Sequence, residues 1–481
     1  MAGTLASSPG VSITPSAVKA TLPTNYITNF DFLNQYLPDT YEQEFERYGN
    51  RSIASFLRMV GAELPSNSDL IKWAEQGRLH TKYTAVVPNS AAGSDTALFT
   101  VPGSVACNFR KNQTVFLSSE SIAANSAKAI ISAVGTADSL ASNSQFEVKF
   151  YNASGSPFTI TTETVTAFVY GSEFSKGTNG MIGSLEAEDD YFECKPIIIK
   201  DKYVVSGSDM AQIGWVEVTT ENGATGYLWY LKSEHETRLR FEDYLEMAMV
   251  EGVPAETGSA AAAFLNNSPS YPAPNAGTAA AGTQGLFDTI ESRGNVWSGG
   301  NPSSLTDFDT IVQRLDKQGA IAENALFLNR QFSFDIDDML AAQNSYGVGG
   351  TSYGLFDNSE QMALNLGFTG FRRGYEFYKT DWKYLNDATL RGGLVGGAVN
   401  GVLVPAGTTT VYDQVLGKNA KRPFLHVRYR ASEAENRRYK TWMTGSAGGA
   451  ATSDLDAMEV NFLSERALCT LGANNFFIFK G

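Results

Sequence analysis

Two short patterns in this 481-residue chain have the residue types of hydrolytic chemistry. His235-Glu236 opens as a zinc-protease signature does, in which two histidines on one helix face hold the metal and the glutamate acts as base. Leu239 stands where the second histidine is needed, so the ligand pair is incomplete. Gly350-Thr351-Ser352-Tyr353-Gly354 fits the nucleophile-elbow pattern, and Asp381 and His426 follow in the Ser, Asp, His order of α/β-hydrolases. An elbow needs a strand directly before it and a helix directly after. The preceding MLAAQNSYGVGG instead reads as a helix end running into a glycine loop, so Ser352 is expected in a loop without catalytic support. The acidic run Glu186, Glu188, Asp189 and Asp190 has the oxygen ligands a cation needs, but its spacing matches no calcium loop and a solvated loop is expected. Asp335, Asp337 and Asp338 fall where the first turn of a helix capped by Ser333 is expected, and the helix dipole accounts for them there.

The remaining inventory points the same way. Three histidines and no phosphate-binding glycine loop leave cofactor chemistry without an anchor, so neither a metal nor a cofactor is expected. Cys107, Cys194 and Cys469 lie far apart, match no Cys-x-x-Cys spacing, and read as small buried apolar residues. A net charge of −14 argues against a protein whose main task is to grip phosphates, because that needs clustered cations. No leader-like or membrane-spanning apolar stretch is read, so a soluble protein made in the cytoplasm is expected. Charged residues make up only 18% of the chain, and a surface so rich in neutral polar groups suits either subunit contact or an extracellular protein.

The elements that would position these residues change period along the chain. Residues 1 to about 28 carry Ser, Thr, Pro and Gly without periodicity and describe an extended arm. Helical spacing is read between Asp39 and Gly77, at Tyr41, Phe45, Tyr48, Ile53, Phe56, Leu57 and Val60, and then in a helix from Asp69 with Ser68 as its cap and Gly77 at its end. From about Leu79 to Thr220 the period is two and β-branched residues dominate, as in TVFLS, QFEVKFY and TVTAFVYG, which suits a small barrel or sandwich. Ile197–Ile199 and Tyr203–Val205 read as a projecting hairpin. A long helix follows over Tyr227–Glu251, with spacing at Leu228, Leu231, His235, Leu239, Glu242, Leu245 and Met249, stopped by Gly252 and Pro254. After an Ala/Gly/Pro stretch, LTDFDTIVQRLDKQG reads as an amphipathic helix ending at Gly319, AIAENALFLN as a strand and SFDIDDMLAAQ as a helix. The C-terminal part returns to strands in YEFYKTDWKYLN, PFLHVRYRA and ALCTLGANNFFIFKG.

This order resembles the Hong Kong 97 fold of tailed-phage major capsid proteins. In phrasing the chain is similar to the capsid proteins of crAss-like phages of Bacteroidota, in the segments Phe56–His80, Phe287–Asn295 and Phe371–Asp387 and in the final strand. The resemblance implies an α+β fold with an N-terminal arm and short helices at 1–78, an inserted β-rich domain at 79–170, an E-loop hairpin region at 171–225, and the spine helix of a peripheral domain at 226–254. An axial domain with peripheral segments would follow at 255–410, and C-terminal strands of the peripheral domain at 411–481. It implies a non-enzymatic shell protein that assembles into hexamers and pentamers around double-stranded DNA, in contact with portal and auxiliary or decoration proteins and with no membrane. The rival reading is an extracellular adhesin or carbohydrate-binding protein, with the hydrolase a distant third. The most basic stretch runs from Lys418 to Lys440 and contains Lys421, Arg422, Arg428, Arg430, Arg437 and Arg438. In so acidic a chain it is expected to meet carboxylates of an adjacent subunit, such as Glu186, Glu188, Asp189 and Asp190, in preference to DNA phosphates. A solvated strand edge guarded by charges is the plain alternative.

Overall fold

A computed structural model describes residues 5–6, 12–13, 56–57, 62–160, 163–186, 189–211, 218–219, 225–226, 229–256, 258–267, 282–319, 321–344, 370–406, 408–413, 418–449 and 451–481. The expected arm, the helical positions Tyr41, Phe45, Tyr48, Ile53 and Val60, and the Gly350–Gly354 pattern lie outside the described residues. Two compact units divide the chain: residues 1–59, 198–251 and 429–466 form the first, and 60–197, 252–428 and 467–481 the second.

The strands used below are β1 (Ala62–Ser66), β2 (Ile71–Gln76), β3 (Lys82–Pro88), β4 (Thr96–Thr100), β5 (Gln113–Ser119), β6 (Ser126–Val134), β7 (Gln145–Phe150), β8 (Val165–Ser172), β9 (Asp189–Cys194), β10 (Ile197–Ser206), β11 (Asn295–Trp297), β12 (Glu323–Leu328), β13 (Gly370–Arg373), β14 (Tyr375–Asp381), β15 (Val399–Pro405), β16 (Leu425–Arg430), β17 (Lys440–Gly445), β18 (Ala457–Thr470) and β19 (Phe477–Lys480). The helices are α1 (Trp229–Glu251), α2 (Leu286–Arg293), α3 (Leu305–Gln318) and α4 (Arg330–Asn344).

In the first unit, α1 has 23 residues and a length of about 34 Å at 1.5 Å per residue. Its buried positions are Thr237, Phe241, Leu245 and Met249, an i, i+4 row, with Glu246 and Val250 beside it. The stripe is therefore rotated from the expected one: Leu245 and Met249 belong to it, but its centre is Phe241, whose ring packs 5.7 Å from Phe462 and 5.5 Å from Tyr439. Arg240 and Tyr244 face solvent, so one side of the helix stays open as its charges require. The covered side meets Met458, Val460 and Phe462 of β18 and Val205 of β10. β18 pairs antiparallel with β17, from Lys440 opposite Leu463 to Gly445 opposite Met458, and β10 also pairs with β18. Ile197–Ser206 is thus one continuous strand where a hairpin was expected, because no turn residue interrupts its alternation of half-buried and exposed side chains.

Three parts of the second unit bear on the argument. The first is a ribbon of β2 and β9, running antiparallel from Ile71 opposite Cys194 to Gln76 opposite Asp189. Here the expected Asp69–Gly77 helix is corrected to a strand. IKWAEQ alternates as well as it spirals, and pairing with β9 lets Ile71, Trp73 and Cys194 share one covered face with Ala467 and Cys469. Ser68 caps no helix; its hydroxyl accepts from the Leu70 amide at 3.3 Å, in a turn before the strand.

Between the two ribbon strands lies the second part, a closed six-stranded barrel in the order β8-β3-β4-β7-β6-β5. Every second residue points inward: Val115 and Leu117, Ala127, Ala129 and Ile131, Phe146 and Val148, Val165 and Ala167. Phe99 stacks on Phe146 at 5.5 Å and meets Phe158 edge-on at 6.0 Å, which fills the lumen. The barrel seam is pinned by Glu120, whose carboxylate accepts from the Ala85 amide at 2.8 Å and from the Thr166 and Thr164 hydroxyls at 2.8 and 3.0 Å.

The third part is a mixed sheet ordered β11-β19-β15-β12-β14-β13, with β11 parallel to β19 and β12 parallel to β14. Phe308, Ile311 and Leu315 of α3 and Phe332, Ile336 and Met339 of α4 pack with Leu326, Phe377, Leu403, Phe477 and Phe479 of the sheet. α3 begins with a reciprocal cap, the Asp307 amide donating to Ser304 Oγ at 3.2 Å and the Ser304 amide to Asp307 at 3.1 Å. It ends at Gly319, as its sequence predicts. α4 starts three residues before the expected cap: Asn329 Oδ1 accepts from the Phe332 amide at 2.8 Å, and Ser333 lies inside the helix. The three aspartates are therefore not first-turn residues. Asp337 pairs with Lys379 at 2.5 Å in a mostly buried contact, and Asp335 accepts from Asn301 and Gln331.

Candidate interaction surfaces

The basic stretch is the largest concentration of candidate site residues. Lys418, Lys421 and Arg422 fall on a strand, Lys418–Pro423, whose side chains lie outside the described residues. In the first unit, the Arg437 amide donates to the Arg430 carbonyl at 2.9 Å, and the Glu465 amide to the Arg437 carbonyl at 3.0 Å, so the turn after β16 is laced to β18. That lacing places the Glu465 carboxylate 2.8 Å from Arg437 Nε and 4.0 Å from Arg430 Nη1. Lys440 donates to Glu435 at 2.8 Å and holds that carboxyl below the usual glutamate range, with Arg437 adding to the effect. Arg438 is exposed and lies 5.7 Å from the Tyr429 ring. Arg428 is half-buried in the second unit, and its charge acts on the Cys469 thiol, which burial pushes far above the ordinary thiol range.

Two buried charges here escaped the sequence reading. Glu465 reads as one more residue of a strand, and Arg466 has its guanidinium turned inward, donating to Ser464 Oγ at 3.0 Å and to the Arg438 carbonyl at 3.1 Å. The signal available was a Ser-Glu-Arg triplet inside an apolar strand, where charges must find partners.

The acidic run is divided between two settings. Glu186 is exposed, Glu188 lies outside the described residues, and Asp189 and Asp190 are strand residues opposite Gln76 and Glu75. The expected loop is therefore half strand. On the covered face of the same ribbon, Arg293 of α2 lies over Phe192 at 4.0 Å and Trp73 at 5.8 Å, with Glu75 at 3.9 Å. Burial pushes its ionisation down, against the pull of Glu75.

Among the described residues, three of the hydrolytic candidates have other contacts. Asp381 takes an ion pair from Arg330 and a 2.9 Å bond from Asn386, and the His426 ring meets the Pro423 carbonyl at 3.2 Å. His235 contacts Arg238 at 3.0 Å.

No protein-family model matches the chain, and no curated protein matches it in sequence. Among solved structures it is similar to a chain of Microbacterium phage Oxtober96, at 9% identity and a TM-score of 0.37, covering 95% of this chain and 99% of that one. It is also similar to a chain from the capsid of an empty GTA particle, at 7% identity and a TM-score of 0.37, covering 94% and 97%. A third is from the mature capsid of bacteriophage PhiM1, at 9% identity and a TM-score of 0.32, covering 65% and 78%. At such low superposition, the reading of this chain rests on its own residues. Among the described residues, no helix is long and apolar enough to cross a membrane.

Proposed function

We propose that the chain is the major capsid protein of a tailed bacteriophage and that it works by self-assembly, not catalysis. The observation that carries this reading is the order of parts. A two-stranded ribbon bears a closed barrel, a 23-residue helix lies across a sheet closed by C-terminal strands, and a mixed sheet with helices fills the segment between. In this reading the ribbon and its barrel are the E-loop with an insertion, α1 with β10, β17 and β18 is the peripheral domain, and the β11–β19 sheet is the axial domain. Hexamers and pentamers enclosing double-stranded DNA, assembly in the host cytoplasm, and contact with portal and decoration proteins belong to the same proposal. So does kinship with crAss-like phages, which only the sequence phrases support.

For the subunit contact, the proposal keeps Arg428, Arg430, Arg437 and Arg438 against Glu186, Glu188, Asp189 and Asp190 of a neighbour, with a division of labour. Arg430 and Arg437 already hold Glu465, so they shape the patch, while exposed Arg438 is its contact residue. The test is sedimentation and electron microscopy of the expressed chain. Megadalton shells or capsomers are expected, and a discrete small species refutes the reading. Deleting residues 1–30 should leave a folded subunit that assembles poorly, and wild-type shell yield from the truncation would remove the arm from the account.

A further inference from the structure

The outer face of the barrel carries a bulge beside two grooves. Along β8 the pairing with β5 slips between Val169 and Gly171, which makes Tyr170 the extra residue of a bulge. Bulges re-aim side chains, and this one leaves the Tyr170 ring 49% exposed. Next to it Gly171 stands opposite Thr114, where a Cβ would come within 3.2 Å of the threonine hydroxyl. Thr114 alternates with inward-facing Val115, so it belongs to the outer face, yet it is only 4% exposed and its hydroxyl has no hydrogen-bond partner. That hydroxyl has almost no accessible surface, so the bulge closes over it and contact with a ligand falls to the exposed side chains around it.

Beside the bulge the side chains form a groove of about 590 Å³, walled by Tyr151, Tyr170, Lys128 and Glu173. Tyr151 is 51% exposed and donates to Glu173 at 2.5 Å, and Lys128 Nζ sits 5.7 Å from the Tyr170 ring centre. Through Tyr170, Gly171 and Ser172 it continues into a second groove of about 950 Å³ with Phe168, His80 and Lys82 on its walls. Flat exposed rings beside a cation and an anion suit a ligand that has apolar ring faces and hydroxyls that both donate and accept. A sugar chain has both properties. A nucleic acid strand would use the rings and lysines, but it gains nothing from the carboxylate of Glu173.

We propose that this outer face is a glycan-binding groove, in which Tyr170 and Tyr151 stack on sugar rings while Lys128 and Glu173 bond the sugar hydroxyls. The two grooves in series fit several sugar units. Titration calorimetry of the full chain with a neutral glucan hexamer and with a polyuronate hexamer tests it. Saturable binding of at least one hexamer is expected, weakened about tenfold by Tyr170→Ala and little changed by Tyr170→Phe, since the ring face supplies the contact. No binding of either hexamer overturns the proposal, as does binding indifferent to Tyr170→Ala. A Tyr170-dependent preference for a twelve-nucleotide thymidine strand over both hexamers also overturns it and assigns the groove to nucleic acid. Shell formation is read separately by sedimentation, so failure of the groove and failure of the capsid reading are distinguishable.

Discussion

Replacing Glu465 by Gln decides whether the basic turn is held from within the subunit or by a neighbour. The carboxylate is 12% exposed and meets Arg437 at 2.8 Å and Arg430 at 4.0 Å, with the arginines 27% and 28% exposed. Exposed pairs contribute a few tenths of a kcal/mol to one, whereas removing one partner of a buried pair costs roughly 3–5 kcal/mol. A contact that is buried on one side and about a quarter open on the other falls between, and Glu435, 4.0 Å from Arg437, compensates in part. The expected loss is about 2 kcal/mol, with the amide volume preserved. Urea unfolding of dissociated subunits measures it, and hydrogen exchange along β18 localises it. Arg437→Glu should lose more, since it sets two carboxylates against each other, while exposed Arg438→Glu should leave stability intact and slow assembly. If Glu465→Gln costs less than about 0.5 kcal/mol and abolishes assembly, the intrasubunit argument is wrong and both arginines serve a neighbour.

The other expectations are smaller in scope. Acid should loosen the barrel: hydrogen bonds from the Ala85 amide and Thr166 hold Glu120 below the usual glutamate range. Burial raises Glu163, but Ser119, the Thr159 amide and Asn125 together outweigh it and bring the net shift down. Because both folded-state values are depressed, their stabilisation is full above the unfolded glutamate range of about 4.3 and is lost as pH falls through the folded values. Melting of the barrel followed against pH should therefore fall below pH 4 to 5, less steeply in Glu120→Gln, and a melting temperature that rises on acidification would contradict the sign. Ser304→Ala removes the reciprocal cap of α3 and should cost about 1 kcal/mol, visible as faster exchange in its first turn. Lys379→Met removes the charge that faces mostly buried Asp337 and should cost about 3 kcal/mol, and adding Asp337→Leu should recover most of it; no recovery in the double variant would show that the pair is more than an exchangeable buried contact.

The sequence was legible where one local pattern had one solution. Leu305–Gly319 carries a cap, an i, i+3, i+4 stripe and a terminal glycine that agree, and the barrel strands alternate cleanly between turn clusters. IKWAEQ misled because it satisfies both periods, and its partner Asp189–Cys194 lies beyond the whole barrel. Ser333 misled because it imitates a cap that Asn329 supplies four residues earlier on the far side of an arginine. The α1 stripe was misplaced because Phe241 sits among charges that dominate the local pattern, and only β18 and Tyr439 reveal which side is covered. For the interaction surfaces the limits were of the same kind. A bulge at Tyr170 and an unpartnered Thr114 hydroxyl depend on a strand register that no single segment encodes.

β19 has a consequence for the order in which the chain acquires structure during translation. Phe477–Lys480 lies inside its sheet, parallel to β11 and antiparallel to β15, so the sheet has a missing interior strand until those residues leave the ribosome. The barrel needs only segments between Lys82 and Ser172 and can close long before, with its lumen already filled. A nascent chain thus carries one finished part beside a sheet that is still open, and rapid vectorial folding favours the contiguous part. Completion of the sheet then acts as a timer set by the delivery of β19.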